Sequence, residues 1–115
     1  MSQYSNEERM KKIADNYFAA WNEHNLVRLR ELFDEKITLK DWDIYETGIE
    51  RVLKANSNIF EAVPSIKIHV IDVATAPTKI MAEIKVLLNE GKSIDVIDVL
   101  EVKNELIKSI KAFKC

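Results

Sequence analysis

Asp98 stands in a run that alternates with a period of two. From Ile94 to Val102 one face carries Ile94, Val96, Asp98, Leu100 and Val102, and the other carries Asp95, Ile97, Val99 and Glu101. Successive side chains of a strand point to opposite faces, so Asp98 interrupts an otherwise apolar row. An ionised carboxylate buried there without partners is costly, so the group must find donors or keep its proton. A protonated Asp98 could donate a hydrogen bond. A register slip of one residue would turn Asp95 inward instead.

Three further polar groups share this character. Asp41 is in phase with Ile37 and Leu39 at the end of a short alternating segment, where an aspartate is also suited to solvent or to capping a turn. Tyr17 lies near the centre of an apolar helical stripe, and its hydroxyl needs a partner if buried. Asn56 sits on the apolar stripe of a later helix. Carboxyl, phenol and carboxamide groups on apolar faces must find hydrogen-bond partners or open on a pocket. Trp21, Asn56 and Phe60, on the same helical stripes, are expected to contact a substrate there.

The elements that must hold these groups follow from periodicity. Ser5-Asn6-Glu7-Glu8 has capping-box spacing and predicts a first helix with Met10, Ile13, Ala14, Tyr17 and Trp21 inward. Asn25 predicts the cap of a short second helix with Leu26, Leu29, Leu32 and Phe33 on one side. Thr47-Gly48-Ile49-Glu50 reads as a second capping box. It opens a third helix with Ile49, Val52, Leu53, Asn56, Ile59, Phe60 and Val63 inward, closed by Pro64. Residues 36–43, 65–75, 78–89, 93–103 and 106–113 read as strands, the last four joined by connections short enough for hairpins. Helices followed by a meander predict an α+β fold, with long strands bent around the helices into a half-open cone.

Composition narrows the function classes. At 115 residues, 47% hydrophobic and 31% charged, with 2 Gly and 2 Pro, the chain suits one globular domain over 1–115 with no linker. The net charge of −2 with scattered Lys and Arg gives no basic stripe, so no nucleic-acid partner is expected. Apolar runs such as Val86-Leu87-Leu88 are too short for a membrane span, and the polar, acidic N-terminus does not read as a signal peptide. The single cysteine, Cys115, cannot form an internal disulfide, which suits a reducing, cytoplasmic setting and makes a poor nucleophile at a chain end. His24 and His69 have no second ligand at metal spacing and read as surface or interface residues, so no metal site is expected.

The segments Asn16-Tyr17-Phe18-Ala19-Ala20-Trp21-Asn22-Glu23-His24-Asn25-Leu26, Leu32 to Asp41 and Asp95 to Val102, on through the last hairpin, resemble nuclear transport factor 2-like domains. Their SnoaL-like and ketosteroid isomerase-like branches are the most similar. The resemblance implies a cystatin-like cone, three N-terminal helices on a strongly curved mixed or antiparallel sheet enclosing a pocket. By motif it implies Asp41 as a general base, with Tyr17 and protonated Asp98 as oxyanion donors. That is the arrangement by which ketosteroid isomerase serves as the standard illustration of this chemistry. It implies no cofactor. The segment Trp42-Asp43-Ile44-Tyr45-Glu46-Thr47-Gly48 departs from the isomerases in a bulky Trp and two further acids, with Asp43 in phase with Asp41.

Two function classes are compatible with these residues. One is a cofactor-independent isomerase, cyclase or dehydratase acting on a hydrophobic carbonyl compound. The other is a non-catalytic small-molecule-binding or dimerisation module. Ile97 and Val99 beside Asp95 and Glu101 suit a homodimer contact on the outer sheet face, where family members commonly pair.

Overall fold

The computed structural model describes residues 5–115, so the first four residues of the polar N-terminus lie outside the described residues. Ser5 caps helix α1 (Asn6–Asn22) by accepting a hydrogen bond from the Glu8 backbone N–H at 3.1 Å. The inward stripe holds as its spacing predicts, with Met10, Ile13, Ala14, Tyr17, Phe18 and Trp21 buried. His24 adopts a left-handed φ of 52° and turns the chain, and Asn25 caps α2 (Leu26–Leu32) through the Arg28 N–H at 3.1 Å.

The first strand starts earlier than the alternation suggests. β1 spans Phe33–Lys40, so Phe33 is a buried strand residue and not part of the second helix, and Asp41 to Ile44 form a turn. A short strand that the sequence reading missed, β2 (Tyr45–Thr47), returns antiparallel to β1. Thr47 therefore belongs to a strand and does not cap α3 (Ile49–Ala62). The cap is Gly48, with φ of 95°, no side-chain hydrogen bond and a backbone shape that L residues rarely adopt. Glu50 instead forms a two-pronged ion pair with Arg30 of α2, at 2.5 and 2.9 Å.

Strands β3 (Lys67–Thr75), β4 (Lys79–Leu87), β5 (Ser93–Lys103) and β6 (Leu106–Lys114) form the predicted antiparallel meander. The six-stranded sheet has the order β2-β1-β6-β5-β4-β3, and β1 runs parallel to β6, which makes the sheet mixed. Register shifts between Val70 and Asp72, between Glu101 and Val102, and between Phe33 and Thr38 bend the strands. The curved sheet stays open and wraps its inner face around α1 and α3.

The edge strand β3 is covered by the end of α1. The Asn22 carboxamide donates to the Ile68 carbonyl at 2.8 Å and accepts from the Ile68 N–H at 2.7 Å, supplying the pairing that an edge lacks. His24 Nε2 hydrogen-bonds the Ile66 carbonyl at 2.8 Å, and its ring stacks on Phe60 with centroids 4.2 Å apart. His24, expected at the surface or an interface, is half-buried and joins the end of α1 to α3 and to the residue before β3. No helix among the described residues is long and apolar enough to cross a membrane.

Candidate active site

Strand β5 turns Asp98 inward and Asp95 outward, where Asp95 pairs with Lys85 at 2.8 Å. Asp98 is 5% exposed. Its register partners are Ala82 on β4 and Ala112 on β6. Of these, Ala112 lines the adjoining space, which a larger side chain there would fill. That space is a cavity of about 310 Å³ between the sheet, α1 and α3. Tyr17, Trp21, Asp41, Asn56 and Asp98 all line it, alongside Leu39 of β1 and Ile and Val side chains from β4, β5 and β6.

Each polar group reaches the cavity by a different route. Tyr17 projects from the middle of α1, is 4% exposed, and packs edge-on against Phe18 with centroids 5.1 Å apart. Neither the Tyr17 hydroxyl nor the Asp98 carboxyl has a hydrogen-bond partner among the described residues. No buried side-chain polar atom there is orphaned, so both groups open on the cavity. Asp41 lies just beyond β1 at the mouth. Its Oδ1 accepts from the N–H groups of Asp43 (2.7 Å) and Ile44 (2.6 Å), while its own N–H donates to the Ile44 carbonyl at 2.9 Å. The aspartate thus builds the turn it stands on, and its Oδ2 has no hydrogen-bond partner among the described residues.

That turn also replaces the expected strand phase of Asp43, which is exposed and lies at the same mouth. Trp42, 42% exposed, completes the rim, with the Lys114 ammonium 5.6 Å from its ring centroid.

Two expected substrate contacts are already engaged elsewhere. Trp21 Nε1 donates to Asn56 Oδ1 at 2.9 Å, and Asn56 Nδ2 donates to the Val52 carbonyl at 2.9 Å. Both residues wall the cavity, but these polar groups tie α1 to α3. Phe60 is not at the wall: it lies behind Trp21, edge-to-face at 5.0 Å, between that ring and His24. The alanines beside Asp98 were missed by sequence reasoning. Only the strand register identifies them.

The electrostatics follow from burial. Loss of solvent, and then the negative charge of Asp41, raise the Asp98 carboxyl from 3.8 to about 7. Burial, with Asp98 second, holds the Tyr17 hydroxyl well above its ordinary value, so it stays a proton donor. Near neutral pH the cavity therefore presents a phenol and a carboxyl poised between donor and anion. Among the described residues no group of His, Cys, Asp or Glu is placed to hold a metal ion.

The SnoaL-like domain family model matches residues 14–110, which takes in Tyr17, Trp21, Asp41, Asn56 and Asp98. The chain belongs to the SnoaL-like domain family. Solved structures share the fold of this SnoaL-like domain at low identity. A candidate ketosteroid isomerase from Kribbella flavida superposes with a TM-score of 0.84 at 17% identity, over 96% of this chain and 81% of that one. A cystatin-like protein of unknown function from Methylobium petroleophilum gives 0.84 at 14% identity, over 95% and 77%. A candidate SnoaL-like polyketide cyclase from a Jannaschia species gives 0.81 at 13% identity, over 99% and 90%. At such identities the likeness shows the fold alone. No curated protein matches this chain by sequence.

Proposed function

We propose that this SnoaL-like domain is a cofactor-independent enzyme that moves a proton next to the carbonyl of a hydrophobic small molecule. One observation carries the reading: Asp98, a buried carboxyl with no hydrogen-bond partner among the described residues, lines the same cavity as Tyr17, with a second carboxylate, Asp41, at the mouth. A carbonyl oxygen between Tyr17 and protonated Asp98 would receive two hydrogen bonds that strengthen as enolate charge develops. Asp41 would take the carbon-bound proton on Oδ2 and return it to another carbon. The apolar walls exclude water and favour a ligand of the same character.

The test is wash-in of deuterium next to the carbonyl of apolar ketones, for wild type and Asp41→Asn. Asn keeps the Oδ1 acceptor that builds the turn and removes the base. Exchange should fall by about 10²–10⁴-fold. Equal exchange in both proteins would end the enzymatic reading.

A binding role without turnover draws on the double use of Asp41 Oδ1 as a turn cap. Naphthol, a phenol resembling an enolate, separates this from an inert cavity, because either role requires it to bind. In a carboxyl-resolved NMR titration Asp98 should also differ from an exposed carboxyl.

The same proposal extends to assembly. On the outer face Ile97 and Phe113 are register partners, Phe113 is 54% exposed, and Val99 lies between Met81 and Lys111. Such an apolar strip suits pairing of two copies through the sheet, in a cytoplasmic protein.

A further inference from the structure

The charges around the cavity are of one sign. Among the described residues, Asp98 at its floor and Asp41 and Asp43 at its mouth are the charged residues of the lining, and no Lys, Arg or His side chain contributes to it. Asp98 is paired in the sheet with Ala82 and Ala112, faced by Tyr17 from α1, and by Asp41 and Asp43 from the turn after β1. None of these groups can neutralise its charge. Lys114, at the rim, holds its ammonium over the Trp42 ring and does not line the cavity.

A buried carboxylate without a partner is strongly destabilised, and a cation brought to it from outside relieves that cost. Aromatic rings beside the acids add to the fit. Tyr17, Trp21 and Trp42 all face the same space, and the electron-rich faces of such rings attract an alkylammonium. The remaining walls are aliphatic and suit a hydrocarbon body. An anion meets the opposite situation: three carboxylates, with no lining cation.

From this arrangement we infer that the cavity is a binding site for hydrophobic primary amines, with the ammonium against Asp98 and the apolar body along β4 and β6. The inference rests on the reading of Asp98 as a cavity-facing carboxyl but does not depend on turnover. Asp98 serves two kinds of ligand through its two protonation states. Protonated, it donates to an enolate-like oxygen; ionised, it receives an ammonium.

Those states make the pH dependences opposite in sign. With Asp98 at about 7, its ionised fraction rises from about a tenth to about nine-tenths between about pH 6 and about pH 8. Amine affinity should therefore tighten about tenfold over that interval, and naphthol affinity should weaken by about the same factor.

Calorimetry with naphthylethylamine, naphthylethanol and naphthylacetate compares three ligands of nearly equal shape and different charge. The expected order at about pH 8 is amine, then alcohol, with the carboxylate weakest, since the site favours cations and repels anions. Asp98→Asn should abolish the advantage of the amine over the alcohol and flatten its pH profile. The inference is overturned if the amine binds no tighter than the alcohol, if naphthylacetate equals it, or if the preference survives in Asp98→Asn. Wild-type ranking alone decides the first two outcomes, whatever the variant's stability. Naphthol separates the two readings. If it binds with falling affinity as pH rises while the amine does not bind, this inference fails and the proton-transfer reading stands.

Discussion

Asp98 is held by backbone pairing on both sides, so its carboxyl cannot leave the cavity without breaking the centre of the sheet. Its raised titration in the folded protein has a consequence for stability. From about pH 4 to about pH 7 the folded chain retains a proton that the unfolded chain has lost, so stability falls as pH rises through that window and levels off above it. The shift from 3.8 to about 7 corresponds to about 4 kcal/mol. In urea titrations across this range, Asp98→Asn should lose most of the slope, and its advantage over wild type should grow toward alkaline pH. A slope unchanged by Asp98→Asn would place the responsible proton elsewhere. The alternation around Asp98 made its inward direction legible from sequence. The absence of a neighbouring cation was not legible, because that depends on which elements pack against it.

At the scale of elements, the helix side of the cavity is set by how α1 and α3 are tied to each other. The Trp21–Asn56 hydrogen bond joins the two helices, and Phe60 wedges between Trp21 and His24. Asn56→Leu keeps the volume but leaves the Trp21 indole N–H without its acceptor, which should cost about 1–3 kcal/mol in denaturant unfolding. Little change would show that the indole finds another partner. Helical spacing identified both residues as inward, but it could not distinguish a substrate contact from a brace. Their mutual bond spans 35 positions of sequence and is settled only by packing. The start of α3 shows a similar limit. Thr47 and Glu50 have the spacing of a capping box, yet β1–β2 pairing takes Thr47 and the Arg30 ion pair takes Glu50, leaving Gly48 as cap. Tertiary partners outcompeted a local motif.

Across the whole molecule, the inner face of the sheet lines the site while the outer face exposes Phe113 beside Ile97, the strip proposed above for pairing. Sedimentation should show a wild-type dimer that Phe113→Asp converts to monomer, since a carboxylate in an apolar contact is unpaired and desolvated. A monomeric wild type would remove assembly from the account. What the amino-acid order determined by itself was local: helix stripes, strand alternation, and the inward phase of Tyr17, Asn56 and Asp98, all set by the periodicities of 3.6 and 2. Family resemblance then brought Asp41 into the same site, and the turn built on its carboxylate holds it at the mouth. Only the tertiary structure decided that β1 lies parallel beside β6, that two alanines flank Asp98, and that Phe60 stands behind the wall. These depend on contacts between residues distant in sequence, which no local period encodes. The cavity with Tyr17, Asp41 and Asp98 on its walls is the product of both.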